Sequence, residues 1–348
     1  MSKVKAIFVR MITFFKTIYY FVANIFLACI VNKPVILAFH RVIVKSNNLL
    51  NQRVGFTTPG NFKRFIRFMK IMGYEFVPLE NIVKMIELSS FKKVVAITFD
   101  DGFKDLYKNA YPIIKEFNIP FTLFLTTSLI DSKELLWLHK LYISLDRLPL
   151  AESERILKKH IHYENDVDDM SAFIGKIIHS KDRKNIRDLV ASVSNAGRIK
   201  TEEEGFIAND LYLSKKEIEE MKNNGLAVEA HGHEHWPLTN LDEEETEEEI
   251  RSSIRCIEVK LNSSPKYFAL PYGKSNRFTK KVVKTLGLKG IATIERRIIT
   301  EASIAPYSLP RICVYDDVLD FYRVLYKNYR KYIYMKLCKI TKIITNRS

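Results

Sequence analysis

Cysteine is scarce in this 348-residue chain, and its four copies, Cys29, Cys256, Cys313 and Cys338, stand far apart. None falls in a CxxC or similar metal spacing, so the sequence indicates neither a zinc knuckle nor a disulfide framework. Twelve Gly and eleven Pro, with no low-complexity tract and no fixed-period repeat, exclude collagen-like, disordered and solenoid classes. Acid is missing at the C-terminal end: residues 321–348 hold eight Lys or Arg and no Asp or Glu. No histidine follows His235.

A 47% hydrophobic content lets a chain of this length bury a large core, either as one barrel-sized domain with appendages or as two domains. The formal charge of +15 would suit phosphate-bearing partners. Its distribution argues against nucleic acid, because Asp242–Glu249 places seven acids in eight positions and no basic stripe broken by stacking aromatics runs through the middle of the chain. We therefore expect no nucleic-acid partner.

Both ends suggest contact with a membrane surface. Lys3, Lys5, Arg10 and Lys16 precede the apolar stretch Thr17–Val31, the order of a membrane segment with a cytoplasmic N-terminus. The run reaches the roughly 20 residues of a spanning helix only when counted back to Met11 across Lys16; a hydrophobic helix packed on the domain is the alternative. The last segment interleaves Tyr, Ile, Leu and Met with Lys and Arg near helical spacing, as in an amphipathic helix on anionic lipid or a final domain helix with a solvated basic face. These features divide the chain into 1–33, a possible anchor, 34–320, the main domain, and 321–348, a basic amphipathic helix.

Between the ends, short apolar strands alternate with helical periods. Strands are expected at Val35–Phe39, Phe76–Leu79, Val94–Phe99, Pro120–Thr127, Leu226–Ala230, Tyr267–Leu270, Gly290–Thr293 and Leu309–Val314. Helices are expected from Thr58 to about Met72, from about Lys104 to Phe117, after the capping box Ser214–Glu217, and over the acidic run to Leu261. Residues 132–207 read as a helical insertion. This pattern predicts an α/β fold, a deformed (β/α) barrel of the triose-isomerase type, with its chemistry at the C-terminal strand ends.

Two clusters fall at such ends. Asp100 and Asp101 follow the Val94–Phe99 strand, and adjacent carboxylates near a core strand stay ionised only if a cation or strong donors offset them. His231, His233 and His235 alternate after another strand; on a turn, His231 and His235 could converge while His233 diverges. A carboxylate with two imidazoles can hold a catalytic Zn²⁺ or similar ion and leave open positions.

Thr98-Phe99-Asp100-Asp101-Gly102, with His231 and His235 four apart and a later Pro271-Tyr272-Gly273, resembles the polysaccharide deacetylase family, carbohydrate esterase family four, over about Val35 to Val314. The resemblance implies Asp100 as general base and Asp101, His231 and His235 as ligands of a divalent ion: Zn²⁺ first, with Co²⁺, Ni²⁺ or Fe²⁺ as alternatives. It implies that the Tyr272 backbone N–H faces the oxyanion, with Pro271 beside the substrate. Two departures stand out. Ala269 occupies the place of an arginine that orients the base, and Arg311 is the candidate replacement. The family's late acid histidine is absent; His40, in ILAFHRV at the end of the first strand, resembles the Tyr-His-Arg start of family members whose motif order is permuted and is the candidate for that role, within reach because first and last strands adjoin in a closed barrel. Trp137 and Trp236 are candidate sugar-stacking walls. The activity implied is metal-dependent removal of acetyl groups from an N-acetylhexosamine in a surface polysaccharide or lipid-linked glycan, in a membrane-associated protein of the bacterial envelope. A catalytically silent glycan-binding protein is the alternative.

Overall fold

The computed structural model describes residues 3–44, 48–160, 170–180, 182–301 and 306–345. Parts of two expected segments, 161–169 and 181 of the insertion and 346–348 of the basic tail, lie outside the described residues.

The strands in chain order are β1 (Val35–Phe39), β2 (Arg41–Val42), β3 (Phe56–Thr57), β4 (Glu75–Phe76), β5 (Val94–Asp101), β6 (Phe121–Leu125), β7 (Leu226–Ala230), β8 (Tyr267–Ala269), β9 (Gly290–Thr293), β10 (Leu309–Pro310) and β11 (Ile312–Cys313). The main sheet is parallel in the order β10-β9-β8-β7-β6-β5-β1-β11, with β4 joined to the base of β5. β10 pairs with β9 and β11 pairs with β1, and only Arg311 separates the two short strands. One split strand thus brings the ends of the sheet together, and the result is the deformed (β/α) barrel the alternation predicted. Continuous apolar runs make these strands because both faces are covered: every residue of β1, β5 and β6 is buried.

Two cores follow from that geometry. Helices pack on the outside, where Phe39, Phe62 and Phe99 meet with ring centroids 5.0–5.7 Å apart. Inside the ring, Ile36, Ala96, Phe124, Tyr267, Ala269 and Ala292 form a separate cluster, closed by Leu79, Ile82, Val83 and Ile86 of the helix Leu79–Glu87. The three alanines leave room in this interior for a large side chain.

Three elements differ from expectation. The strand at Phe76–Leu79 is confined to Glu75–Phe76, because Pro78 leads directly into a helix at Leu79. The helix expected over Lys104–Phe117 begins as a π-turn, Leu106–Ala110, with Tyr111 N–H bonding to the Leu106 carbonyl. Pro112, which has no N–H to donate, sits where the α-helix resumes at Tyr111. The last strand is broken at Arg311 because its two halves bond to different neighbours.

The described residues of 132–207 form the helices Trp137–Leu145, Leu150–His160, Met170–His179 and Arg183–Ala196 and the start of Thr201–Leu211, which runs past the read boundary. The N-terminal helix spans Lys3–Ile30, 28 residues and so about 42 Å long. It is long and apolar enough to cross a membrane, and Phe8, Phe14, Phe15 and Phe26 are exposed on it. It packs on the C-terminal helix Val318–Thr345: Asn24 Nδ2 donates to the Tyr322 carbonyl at 2.8 Å, and the Tyr19 and Tyr326 hydroxyls are 3.0 Å apart.

Candidate active site

The C-terminal ends of β1, β5, β7 and β8 converge on a cavity of about 130 Å³ lined by His40, Asp100, Asp101, His231, His235 and Tyr272 among others. Asp101, His235 and Tyr272 have φ of +73°, +58° and +57°. Of the nine non-glycine residues at positive φ among the described residues, these three surround one cavity, and such strain is commonly stored at a site.

Asp101, His231 and His235 present three donor atoms to one point. His231 Nε2 and His235 Nε2 lie 3.4 and 3.3 Å from Asp101 Oδ1, and 3.2 Å from each other. Bonds of 2.0–2.1 Å at tetrahedral angles put ligand atoms about 3.3–3.4 Å apart, so the triad fits one small divalent ion with a position left open. The His231 Nδ1–H donates to the Ala269 carbonyl at 3.0 Å, which leaves its Nε2 lone pair for the ion. His235 Nδ1 is buried and has no partner. Burial pushes the His235 imidazole down to about 3, against the pull of Asp101. Burial would raise Asp101, but the hydrogen bond from His231 and the charges of His235, His40 and His231 outweigh it and hold the carboxyl well below its usual range.

Asp100 is held differently. Arg311, fully buried, donates from Nη1 to Asp100 Oδ1 at 2.6 Å and from Nη2 to Oδ2 at 2.8 Å. Its guanidinium also contacts Thr98 Oγ1 and lies 5.0 Å from the Phe124 ring centroid inside the barrel. Burial disfavours the Asp100 charge, yet the Arg311 charge, with His231, holds the carboxyl below its usual range. Arg311 therefore supplies a cation to Asp100 across the same interior that Ala269 lines. His40 Nε2 is 3.9 Å from Asp100 Oδ2. Its neighbours are anchored by Asp105, which accepts from Val42 N–H at 2.6 Å and from Arg41 Nε at 2.8 Å.

The histidine turn has its own support. Glu249 Oε1 accepts from the N–H groups of His233 and Glu234 at 2.8 and 2.9 Å. Gly232, at φ +84°, passes so close that an added Cβ would lie 2.6 Å from that oxygen. His233 turns away from the triad, its Nδ1 2.9 Å from Thr127 Oγ1. Tyr272 lies in the short 3-10 turn Pro271–Gly273 with its ring centroid 4.7 Å from that of His235. No turn or loop carbonyl among the described residues outside that short helix accepts from its backbone N–H.

The two tryptophans lie elsewhere. Trp137 and Trp236 stack on each other, centroids 4.7 Å apart and 8° from parallel, and line a neighbouring groove of about 410 Å³. Trp236 is 1% exposed, so Trp137 and the packed interior already cover its faces; it is not an open wall for a sugar. The roof of the small cavity was not foreseen. Leu138, His139 and Tyr142 from the helix Trp137–Leu145, Ile178 from Met170–His179, and Arg53 and Val54 form it. One histidine in an otherwise apolar helix carries no signal that separates a site residue from a core residue.

The comparisons with known proteins agree with this geometry. Poly-β-1,6-N-acetyl-D-glucosamine N-deacetylase of Staphylococcus aureus is 25% identical over 313 residues, covering 83% of this chain and 81% of that protein. The fold is similar to that of Streptococcus pyogenes deacetylase PplD in complex with acetate, with TM-score 0.56 and 21% identity over 85% of this chain and 98% of that one. It is also similar to IcaB from Ammonifex degensii, with TM-score 0.54 and 17% identity over 85% and 97%. The family model for polysaccharide deacetylase matches residues 89–291. That segment carries Asp100, Asp101, His231, His235 and Tyr272 and spans more than half of the 348 residues, while from outside it His40 lines the same cavity and Arg311 bonds to Asp100. The chain belongs to the polysaccharide deacetylase family.

Proposed function

We propose that this protein hydrolyses the N-acetyl group of an N-acetylhexosamine in a polysaccharide, releasing acetate, and that a divalent ion held by Asp101, His231 and His235 is required. The observation that carries the reading is the spacing of those three donor atoms, 3.2–3.4 Å, next to a carboxylate fixed by a buried arginine. When bound, the ion supplies Lewis acidity toward an acetamide carbonyl and a water molecule.

Asp100, ionised and aimed by Arg311, accepts the proton of the attacking water. The Tyr272 N–H, held at positive φ, donates to the oxygen that becomes negative as the carbonyl carbon turns tetrahedral. His40, on the other side of Asp100, delivers a proton to the departing amine, which leaves as the free amino group of the sugar. Pro271 fixes the turn that carries Tyr272. The C–N bond breaks, the carbon gains the water oxygen, and the products are acetate and a hexosamine.

The named activity of the staphylococcal relatives makes β-1,6-linked N-acetylglucosamine the first polymer to try; a lipid-linked glycan is the second. The apolar helix Lys3–Ile30 and the basic residues of Val318–Thr345, packed together, favour work at a membrane surface in the bacterial envelope. The test is acetate release from a panel of N-acetylated oligosaccharides and lipid-linked sugars by chelated and metal-restored protein. Glycan binding without acetate release under any metal condition would replace the enzyme reading with that of a silent binding protein.

A further inference from the structure

The insertion contributes His139 to the roof of the cavity, and its hydrogen bonds determine which nitrogen carries its proton. His139 is 3% exposed, with its ring 5.1 Å from that of Phe103. Its Nδ1 lies 2.8 Å from the Tyr212 hydroxyl, which also accepts the Leu136 N–H at 3.0 Å. A buried phenol must place its own proton. Among the described residues the His139 Nδ1 is the acceptor within its reach, so Tyr212 O–H donates to Nδ1. In a neutral imidazole the other nitrogen then carries hydrogen. That nitrogen, Nε2, is not taken up by the Tyr212 contact, and His139 lines the cavity that holds Asp100 and the triad.

We propose that His139 is a specificity-determining residue: its Nε2–H, fixed in that tautomer by Tyr212, donates a hydrogen bond to a neutral acceptor oxygen, hydroxyl or glycosidic, of the sugar that carries the acetamide. The acetyl end of such a substrate is served from the barrel floor by the triad and the Tyr272 N–H. Its sugar end meets the roof, where Leu138, Tyr142 and Ile178 offer apolar contact and His139 offers a donor. This inference rests on the deacetylase reading.

Wild type, His139→Phe, His139→Gln and Tyr212→Phe are compared on β-1,6-linked N-acetylglucosamine oligomers and on p-nitrophenyl acetate, which has an acetyl group and no sugar. His139→Phe keeps the ring packing and is expected to lower kcat/KM on the oligomer about 10-fold more than on the ester, the scale of one lost hydrogen bond. His139→Gln, which can restore an N–H near Nε2, recovers part of the difference, and Tyr212→Phe lowers oligomer turnover in the same direction. Equal losses on both substrates overturn the proposal. A second readout does not need turnover: the ¹⁵N spectrum at neutral pH should show His139 protonated on Nε2 in wild type and a tautomer mixture in Tyr212→Phe. Protonation on Nδ1 in wild type overturns the proposal even if His139→Phe fails to fold. A wild type that hydrolyses the ester and never the oligomer fails the deacetylase reading instead, with the tautomer result standing apart.

Discussion

Replacing Arg311 by Met removes the one charge among the described residues that touches both oxygens of Asp100, and the structure sets the scale of the result. Arg311 is 0% exposed and Asp100 1% exposed, and two short hydrogen bonds join them. Breaking a buried pair from one side costs about 3–5 kcal/mol, because the remaining charge has neither water nor partner. The cost depends on pH, and the sign follows from Asp100. In wild type its carboxyl is held below the ordinary value, so it contributes stability that is present above the unfolded pKa, near 3.9, and is lost as pH falls through the folded value. In Arg311→Met burial acts without opposition from the arginine and raises that carboxyl. The variant therefore loses stability as pH rises from about 4 toward its raised pKa. The gap between the two proteins should be widest at pH 7 and close as pH approaches 4. Urea unfolding of chelator-treated protein at both pH values measures it. Asp100→Asn combined with Arg311→Met should recover much of the loss at pH 7, since no buried charge remains. A gap below about 1 kcal/mol at pH 7, or the same gap at pH 4, would refute the pairing as the source of stability.

Other outcomes follow from the remaining residues of the cavity. Asp101→Ala or His235→Ala should each abolish binding of about one divalent ion per chain, measured by metal analysis after dialysis, whereas His233→Ala should keep most of it; equal losses from His233→Ala and His231→Ala would mean that the wrong pair has been chosen. His40→Ala should retain metal and lose the alkaline limb of the pH–rate profile along with most turnover; an unchanged profile shape with a small uniform loss would place the acid elsewhere. Gly232→Ala should weaken metal binding without touching a ligand, because its Cβ would press on the Glu249 oxygen that holds the histidine turn and because φ is +84° there; metal affinity equal to wild type would remove Glu249 from the support of the site.

Much of the barrel was legible in the sequence for a local reason. Runs such as Val35–Phe39, Leu226–Ala230 and Gly290–Thr293 are short, apolar and bounded by turns, and the structure has strands with those limits. The features that escaped are set by distant partners. The break at Arg311 exists because Leu309–Pro310 and Ile312–Cys313 bond to opposite ends of the sheet, which no local pattern encodes. The pairing of the N- and C-terminal helices is likewise tertiary; each alone reads as an amphipathic or apolar helix without a partner. Within the cavity, adjacent motif residues were visible because TFDDG and HGHEH are compact in sequence. Arg311 was visible as a cation at the last strand end and a candidate partner of Asp100, and the two-point bond between them emerged from barrel geometry. His139 and Tyr212 were not visible at all, since their meaning lies in a hydrogen bond between residues 73 positions apart.

The central claim is that Asp100 does chemistry beside an ion it does not hold. Acetate release from β-1,6-linked N-acetylglucosamine oligomers and bound metal should be measured on the same preparations of wild type and Asp100→Asn. The account predicts acetate from wild type, lost on chelation and restored with Zn²⁺, and an Asp100→Asn protein that keeps its metal while turnover falls by about 10²–10⁴-fold. Turnover that survives Asp100→Asn undiminished, or survives complete removal of metal, would contradict it.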